Sequence, residues 1–249
     1  MFRTVVLAMT ILLICGICFA RTLPQPDPDD PPKKVSAQLV HKHTADCDKT
    51  TAEPVQIICI LDRSGSMHDL AEDTIGGYNS FLEKQKQTPG KVEVTTVLFD
   101  DRYEKIVDAV DLQKVPKLTS AEYYARGNTA LLDAVGRTIR ETLGRMEKDG
   151  ICPAKRRVLI MIMTDGLENA STEYSKADVK ALIEATTKEY KWNYTFTGAN
   201  IDSASEAGGI GINTRHAKNF DANRAGVTGA FSRMSEDAAE VREKGTLSE

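Results

Sequence analysis

The stretch Val55-Gln-Ile-Ile-Cys-Ile-Leu-Asp62 limits the fold more than any other part of the chain. Apolar, often β-branched residues sit at consecutive positions, so both faces of the extended segment are apolar. A strand buried on both sides accepts that pattern, and such strands belong to parallel sheets with helices on each face. The run stops abruptly at Asp62-Arg-Ser64-Gly-Ser66-Met67, where Gly65 permits a tight turn. The exit gathers one carboxylate and two hydroxyls. These are hard oxygen donors, better suited to Mg2+, Mn2+ or Ca2+ than to zinc or copper. Asp, Ser and Gly are also ordinary turn residues, and Asp62 could instead cap the next helix.

The remainder alternates helices with strands. Ile75, Tyr78, Phe81 and Leu82 recur at helical spacing within 70–86, a helix weakened by Gly76-Gly77 and ended by Pro89-Gly90. Residues 92–99 read as a strand. Asp100-Asp101 turns it into another, 103–107, so one strand at this edge is antiparallel. Residues 110–118 read as extended. Ile139, Leu143 and Met146 continue a helix that opens after Gly127-Asn-Thr129-Ala. A second strand, 157–164, carries the unbroken apolar run Val158-Leu-Ile-Met-Ile-Met163 and stops at Asp165-Gly166. A helix over 175–190, a strand over 192–199, a short helix over 203–208, a short strand over 216–220 and a closing helix over 225–242 complete the pattern. The expectation is an α/β fold: a doubly wound, mostly parallel sheet with one antiparallel edge strand and helices on both faces. Such sheets bind ligands beyond the carboxyl ends of their strands, at the topological switch point. Asp62, Ser64 and Ser66 follow one apolar strand, Asp165 follows the other, and Thr129 lies in a loop opening a helix. Two carboxylates and three hydroxyls on one edge make a partial Mg2+ shell that water can complete.

In order and spacing, Asp62-x-Ser64-x-Ser66, Thr129 within Gly-Asn-Thr-Ala, and Asp165-Gly166 resemble the metal-ion-dependent adhesion site (MIDAS) of the von Willebrand factor type A family. The likeness runs over about residues 54–242. The stretches 75–82, 97–101, 164–169 and 197–202 further resemble a bacterial and phage single-domain subgroup of unassigned role. The resemblance implies a Rossmann-like sheet with the strands ending at Asp62 and Asp165 side by side. It implies direct or near-direct ligation by Ser64, Ser66 and Thr129, with Asp62 and Asp165 acting directly or through water. It also implies a partner protein whose Asp or Glu joins the shell of Mg2+, Mn2+ or Ca2+. The subgroup usually lacks a leader, and here this chain departs from it.

The departure is in the first residues. Arg3 precedes an apolar run over 5–20 that ends in Cys18-Phe19-Ala20, the pattern of a secretory leader cleaved after Ala20. The run is short for a bilayer span, although an uncleaved N-terminal anchor is the alternative. Residues 21–53 are rich in Pro and charge and read as a linker; 54–242 form the domain and 243–249 a tail. His41, His43, Cys47 and Asp48 match no closed zinc spacing. Of five cysteines, Cys15 and Cys18 lie in the leader and Cys59 in the core strand. Cys47 and Cys152 could pair in an oxidising compartment.

A formal charge of −4 without a long basic run disfavours nucleic acid as a partner. There is no Walker loop, no Gly-x-Ser-x-Gly elbow and no histidine at a strand end near Asp62, which disfavours an enzyme. A metal-dependent protein-binding module is the leading reading. A metal-assisted hydrolase, and a module whose ion only stiffens the fold, remain alternatives. Glu168 and Asn169 could form a second layer around the site or be ordinary surface residues, and His68 could rim it. Asn169-Ala-Ser171 and Asn193-Tyr-Thr195 match glycosylation acceptors in unsuitable places. N-terminal sequencing of native protein should begin at Arg21 and find it exported; an intact Met1 in a cytosolic fraction would contradict the leader.

Overall fold

A computed structural model describes Cys47 and residues 54–248. The expected leader, and the linker apart from Cys47, lie outside the described residues. The first strand, β1 (Val55–Asp62), passes through a 3-10 segment, Gly65–Leu70, into α1 (Ala71–Lys86). Then follow β2 (Val92–Phe99), β3 (Tyr103–Asp111), α2 (Leu131–Lys148), β4 (Val158–Thr164), α3 (Lys176–Tyr190) and β5 (Asn193–Gly198). The short α4 (Ser203–Gly209), β6 (Ala217–Asn219) and the long α5 (Arg224–Lys244) complete the fold.

The sheet order is β3-β2-β1-β4-β5-β6. All neighbours are parallel except β2 and β3. Every residue of β1 and β4 is buried, and alternate residues serve opposite layers. Ile57, Cys59, Leu61, Leu159, Met161 and Met163 pack with Tyr78 and Phe81 of α1 and Val227 and Phe231 of α5. Ile58, Ile60, Ile160 and Ile162 pack with Val135 and Ile139 of α2 and Val179 and Ile183 of α3. That double burial is what unbroken apolar runs require. The chain winds outward from β1 through β2 to β3, then returns to lay β4 on the other flank of β1. The reversal therefore falls between β1 and β4. Their register pairs Leu61 with Met163, so Asp62 and Thr164-Asp165 leave the sheet side by side.

Three features differ from the sequence reading or go beyond it. β3 extends to Asp111 rather than 107, because a register slip around Thr96 and a positive φ of 49° at Ala109 form a bulge that lets pairing resume. The Ala109 amide there donates to Thr95 Oγ1 at 3.0 Å. The packed domain also reaches past 242. Helix α5 runs to Lys244, and the buried Leu247 donates its amide to Asn193 Oδ1 at 3.0 Å. Asn193 in turn donates to Val158 O and Gly245 O, a buried clamp rather than a sugar acceptor. Finally, Cys47 and Cys152 are disulfide-bonded, their Cα atoms 5.1 Å apart. The bond ties the chain ahead of β1 to the loop ahead of β4, at the end of the sheet opposite Asp62. Cys59 is a buried thiol, pushed up to about 12 by burial.

The adjacent glycines of α1 play unequal parts. A Cβ on Gly77 would stand 2.2 Å from Phe231 Cδ2, whereas one on Gly76 would meet nothing within 4 Å. Gly76→Ala should therefore raise stability by about 0.5–1 kcal/mol through helix propensity. Gly77→Ala should lower it by about 1–3 kcal/mol by wedging α1 from α5. Urea unfolding of the two variants checks the opposite signs.

Candidate metal centre

Each of the five residues singled out by the sequence lies at one end of the sheet. Asp62 ends β1 and is buried. Its Oδ1 accepts the Ser64 amide at 2.6 Å and its Oδ2 accepts the Thr164 hydroxyl at 2.6 Å. Its carbonyl accepts the hydroxyl of the buried Tyr123. Ser64 Oγ is 3.1 Å from Ser66 Oγ, which donates to Asp165 Oδ1 at 2.5 Å. A Cβ on Gly166 would stand 3.5 Å from Thr129 Oγ1 and 3.6 Å from Ser66 Oγ, so both hydroxyls border the space beside this glycine. Asp62, Ser64, Thr129 and Asp165 are buried, while Ser66 is exposed. The cluster opens to solvent on the Ser66 side.

Backbone pairing fixes the three loops to one another. The Gly65 amide donates to Gly127 O at 3.1 Å, and the Arg126 amide to Arg63 O at 2.9 Å. Gly127 has φ +65°, and a Cβ there would lie 2.3 Å from Asp101 Oδ1, so the position needs glycine. The Thr129 amide donates to Asn169 Oδ1 at 2.9 Å, and the Asn169 amide returns to Thr129 O at 3.0 Å. Glu168 accepts the Leu132 amide at 2.9 Å, placing a carboxylate at the positive end of α2, and also the amides of Ala170 and Ser171. Glu168 and Asn169 thus fasten the loop after β4 to the loop carrying Thr129. His68 is exposed on the 3-10 segment.

A charged cage beside the cluster escaped the sequence reading. Arg63, with 1% exposure despite its charge, places Nε 2.9 Å from Asp100 Oδ2 and Nη2 2.7 Å from Glu104 Oε1. Its Nη1 donates to Glu122 O at 2.9 Å. Arg126 reaches the same two acids at 2.7 and 2.5 Å. The ring of Tyr124 lies against both guanidiniums, with centroid distances of 5.6 and 5.1 Å. The cage ties the turn after β2 to the loops carrying Ser64 and Thr129. Burial alone would raise the Asp100 carboxyl, but hydrogen bonds from Arg126 and the Arg102 amide, with the Arg63 charge, hold it below its ordinary value. The sequence signal was weak. Arg63 occupies a spacer position of the motif, and Asp100 reads as a turn residue.

The two acids of the cluster behave differently from those of the cage. Burial pushes Asp62 up to about 6; hydrogen bonds from Thr164 and Ser64 oppose the rise, and the Asp165 charge adds to it. Burial likewise raises Asp165 against the hydrogen bond from Ser66. Two buried carboxylates and three hydroxyls around an opening fit a hard divalent cation, which would favour the ionised form of both acids. Among the described residues no group of three or more His, Cys, Asp and Glu is placed to hold a metal, so a nitrogen- or sulfur-rich centre is not formed there.

No family model matches the chain, and no curated protein matches it. Solved structures do. A von Willebrand factor type A protein from Catenulispora acidiphila superimposes with TM-score 0.51 at 17% identity, over 74% of this chain and 42% of its own. Manganese-loaded TRAP protein of Plasmodium vivax gives TM-score 0.51 at 17% identity over 73% of each chain. The fold is that of a von Willebrand factor type A domain. Proximal thread matrix protein 1 from the mussel byssus, with its MIDAS motif occupied by zinc, gives TM-score 0.52 at 15% identity over 76% of this chain and 47% of its own. This chain thus spans less than half the length of the first and third of these proteins. At such identities the likeness to the A-type domains is one of fold. Within this fold, Asp100→Ala should strip Arg63 of its buried partner. The expected loss is about 3–5 kcal/mol, the cost of leaving one charge of a buried pair alone. Denaturant unfolding checks it; a loss below about 1 kcal/mol would mean Glu104 suffices.

Proposed function

We propose that this domain is a divalent-metal-dependent binding module that engages a partner protein's Asp or Glu through the ion. One observation carries the reading: two carboxylates and three hydroxyls gather at the switch point of the sheet, with an exposed opening at Ser66. Asp62, Ser64, Ser66, Thr129 and Asp165 would hold the ion, the acids directly or through water. Their oxygen chemistry favours Mg2+ or Mn2+, with Ca2+ as a further candidate. When bound, the ion would supply a Lewis-acidic position facing solvent. Three of the five donors are neutral, so an incoming carboxylate gains strong attraction in a partly dry setting. The metal-loaded states named for the mussel and Plasmodium proteins support the choice of a divalent ion. A hydrolase would need a base or a nucleophile poised by one. In the cluster the serine hydroxyls bond to each other and to Asp165 rather than to a histidine. The Cys47–Cys152 disulfide supports export to an oxidising compartment. Among the described residues no helix is long and apolar enough to cross a membrane.

An ion that binds only the folded chain stabilises it by about 2.7 kcal/mol at one hundred times its dissociation constant. Saturating Mg2+ or Mn2+ should therefore raise the melting temperature of the wild type, and Asp165→Ala should lose most of that gain. An equal rise in both proteins would refute the site. Capture of a partner should cease with chelator, return with Mg2+, and fall sharply in Asp62→Ala and Thr129→Ala. Capture that persists in excess chelator would refute the mechanism.

A further inference from the structure

Only two large apolar side chains stand well exposed among the described residues, Tyr124 at 45% and Leu167 at 56%. Tyr124 is tied to the β2–β3 side of the cluster, and Leu167 belongs to its β4 side. Tyr124 stacks on Arg63 and Arg126, whose partners Asp100 and Glu104 belong to the end of β2 and to β3. Leu167 follows Asp165 by two residues, at the end of β4. Between them runs β1, which ends on Asp62.

The Tyr124 side chain and the loop that carries Leu167 are both held in place before any partner arrives. The Tyr124 hydroxyl accepts from Arg126 Nη1 at 2.7 Å, and its ring lies against both guanidiniums. The loop of Leu167 is pinned on one side by Gly166, whose amide donates to the Thr164 hydroxyl at 3.2 Å. On the other side it is pinned by Asn169 bonded to Thr129. Fixed apolar groups lose little freedom on binding, so their burial adds to affinity rather than offsetting disorder.

We propose that the partner docks as an extended segment with an acidic residue at position i and apolar residues at i−2 and i+2. This rests on the metal-binding reading and specifies the ligand it takes. Adjacent strands lie about 4.8 Å apart, so points above β2 or β3 and above β4 are separated by roughly 10–14 Å. In an extended chain i−2, i and i+2 share one face, and the outer two are about 13 Å apart. The central carboxylate reaches the ion while its two neighbours cover Tyr124 and Leu167. Covering them also excludes water from the carboxylate–ion contact, which strengthens it. The formal charge of −4 does not steer an acidic segment toward the domain, so short-range apolar contact must provide the selectivity.

The test uses the full mature chain with Mg2+ and three capped nine-residue peptides, measured by calorimetry. Each has a central Asp in a Ser background. One carries Leu at i±2, one carries Leu at i±1, and one has Ser throughout. The i±2 peptide should bind about ten-fold or more tightly than the other two. Leu167→Ser and Tyr124→Ser should each cut that preference several-fold. Mg2+ titration of every variant without peptide reports the ion site separately. Mg2+-dependent binding of all three peptides with equal affinity overturns the docking mode and leaves the metal reading standing. So does Mg2+ uptake with no binding of the i±2 peptide. Binding of the i±2 peptide that is unchanged by chelator and by Asp62→Ala overturns the metal reading itself. A concentration-dependent dimer abolished by Leu167→Ser would assign the two side chains to a second copy of the chain and overturn the proposal.

Discussion

A carboxylate at the end of a strand buried on both faces is in an expensive place, and this domain has two of them side by side. Asp62 and Asp165 reach the same edge because β1 and β4 are neighbours in register at the point where the chain reverses its winding. The surrounding loops answer that cost. Ser64, Ser66 and Thr164 all bond to one acid or the other, and Asn169 and Glu168 hold Thr129 and the start of α2 against them. Among the described residues no ion pair reaches either acid. The positive charge on this edge is spent on Asp100 and Glu104 instead. The edge therefore contains two pairs of acids: Asp100 and Glu104, met by guanidiniums, and Asp62 and Asp165, met by hydroxyls and an amide.

Much of this was legible before any coordinates. Both faces of 55–62 and 158–164 are apolar, and that leaves little choice but a central parallel pair. The acids that end those runs then have to share an edge, and the spacing of Ser64, Ser66 and Thr129 fits the same site. Other features follow from contacts that sequence does not encode locally. Arg63 is a spacer residue whose partner lies 37 positions away. The bulge that prolongs β3 depends on Thr95 offering its hydroxyl across the sheet to Ala109. Glu168 and Asn169 look like surface residues until their acceptors are seen to cap another loop. The Cys47–Cys152 bond joins residues 105 positions apart, whose proximity depends on β1 and β4 being neighbours. In each case a long-range partner, not local propensity, decides the outcome.

The disulfide has a consequence for how such a domain carries force. A pull between the edge that carries Asp62 and Asp165 and the polypeptide ahead of Cys47 enters at one end of the sheet and leaves at the other. The bond splits the load at Cys47: one branch runs on through Pro54 into β1, the other crosses to Cys152 and enters β4. These are the two strands that end at Asp62 and lead into Asp165. Each is flanked by parallel neighbours on both sides, so tension along its axis loads many inter-strand hydrogen bonds in shear together rather than unzipping them singly. The same cross-link that fastens one end of the fold thus makes the two acid-bearing strands a pair of tension members working in parallel.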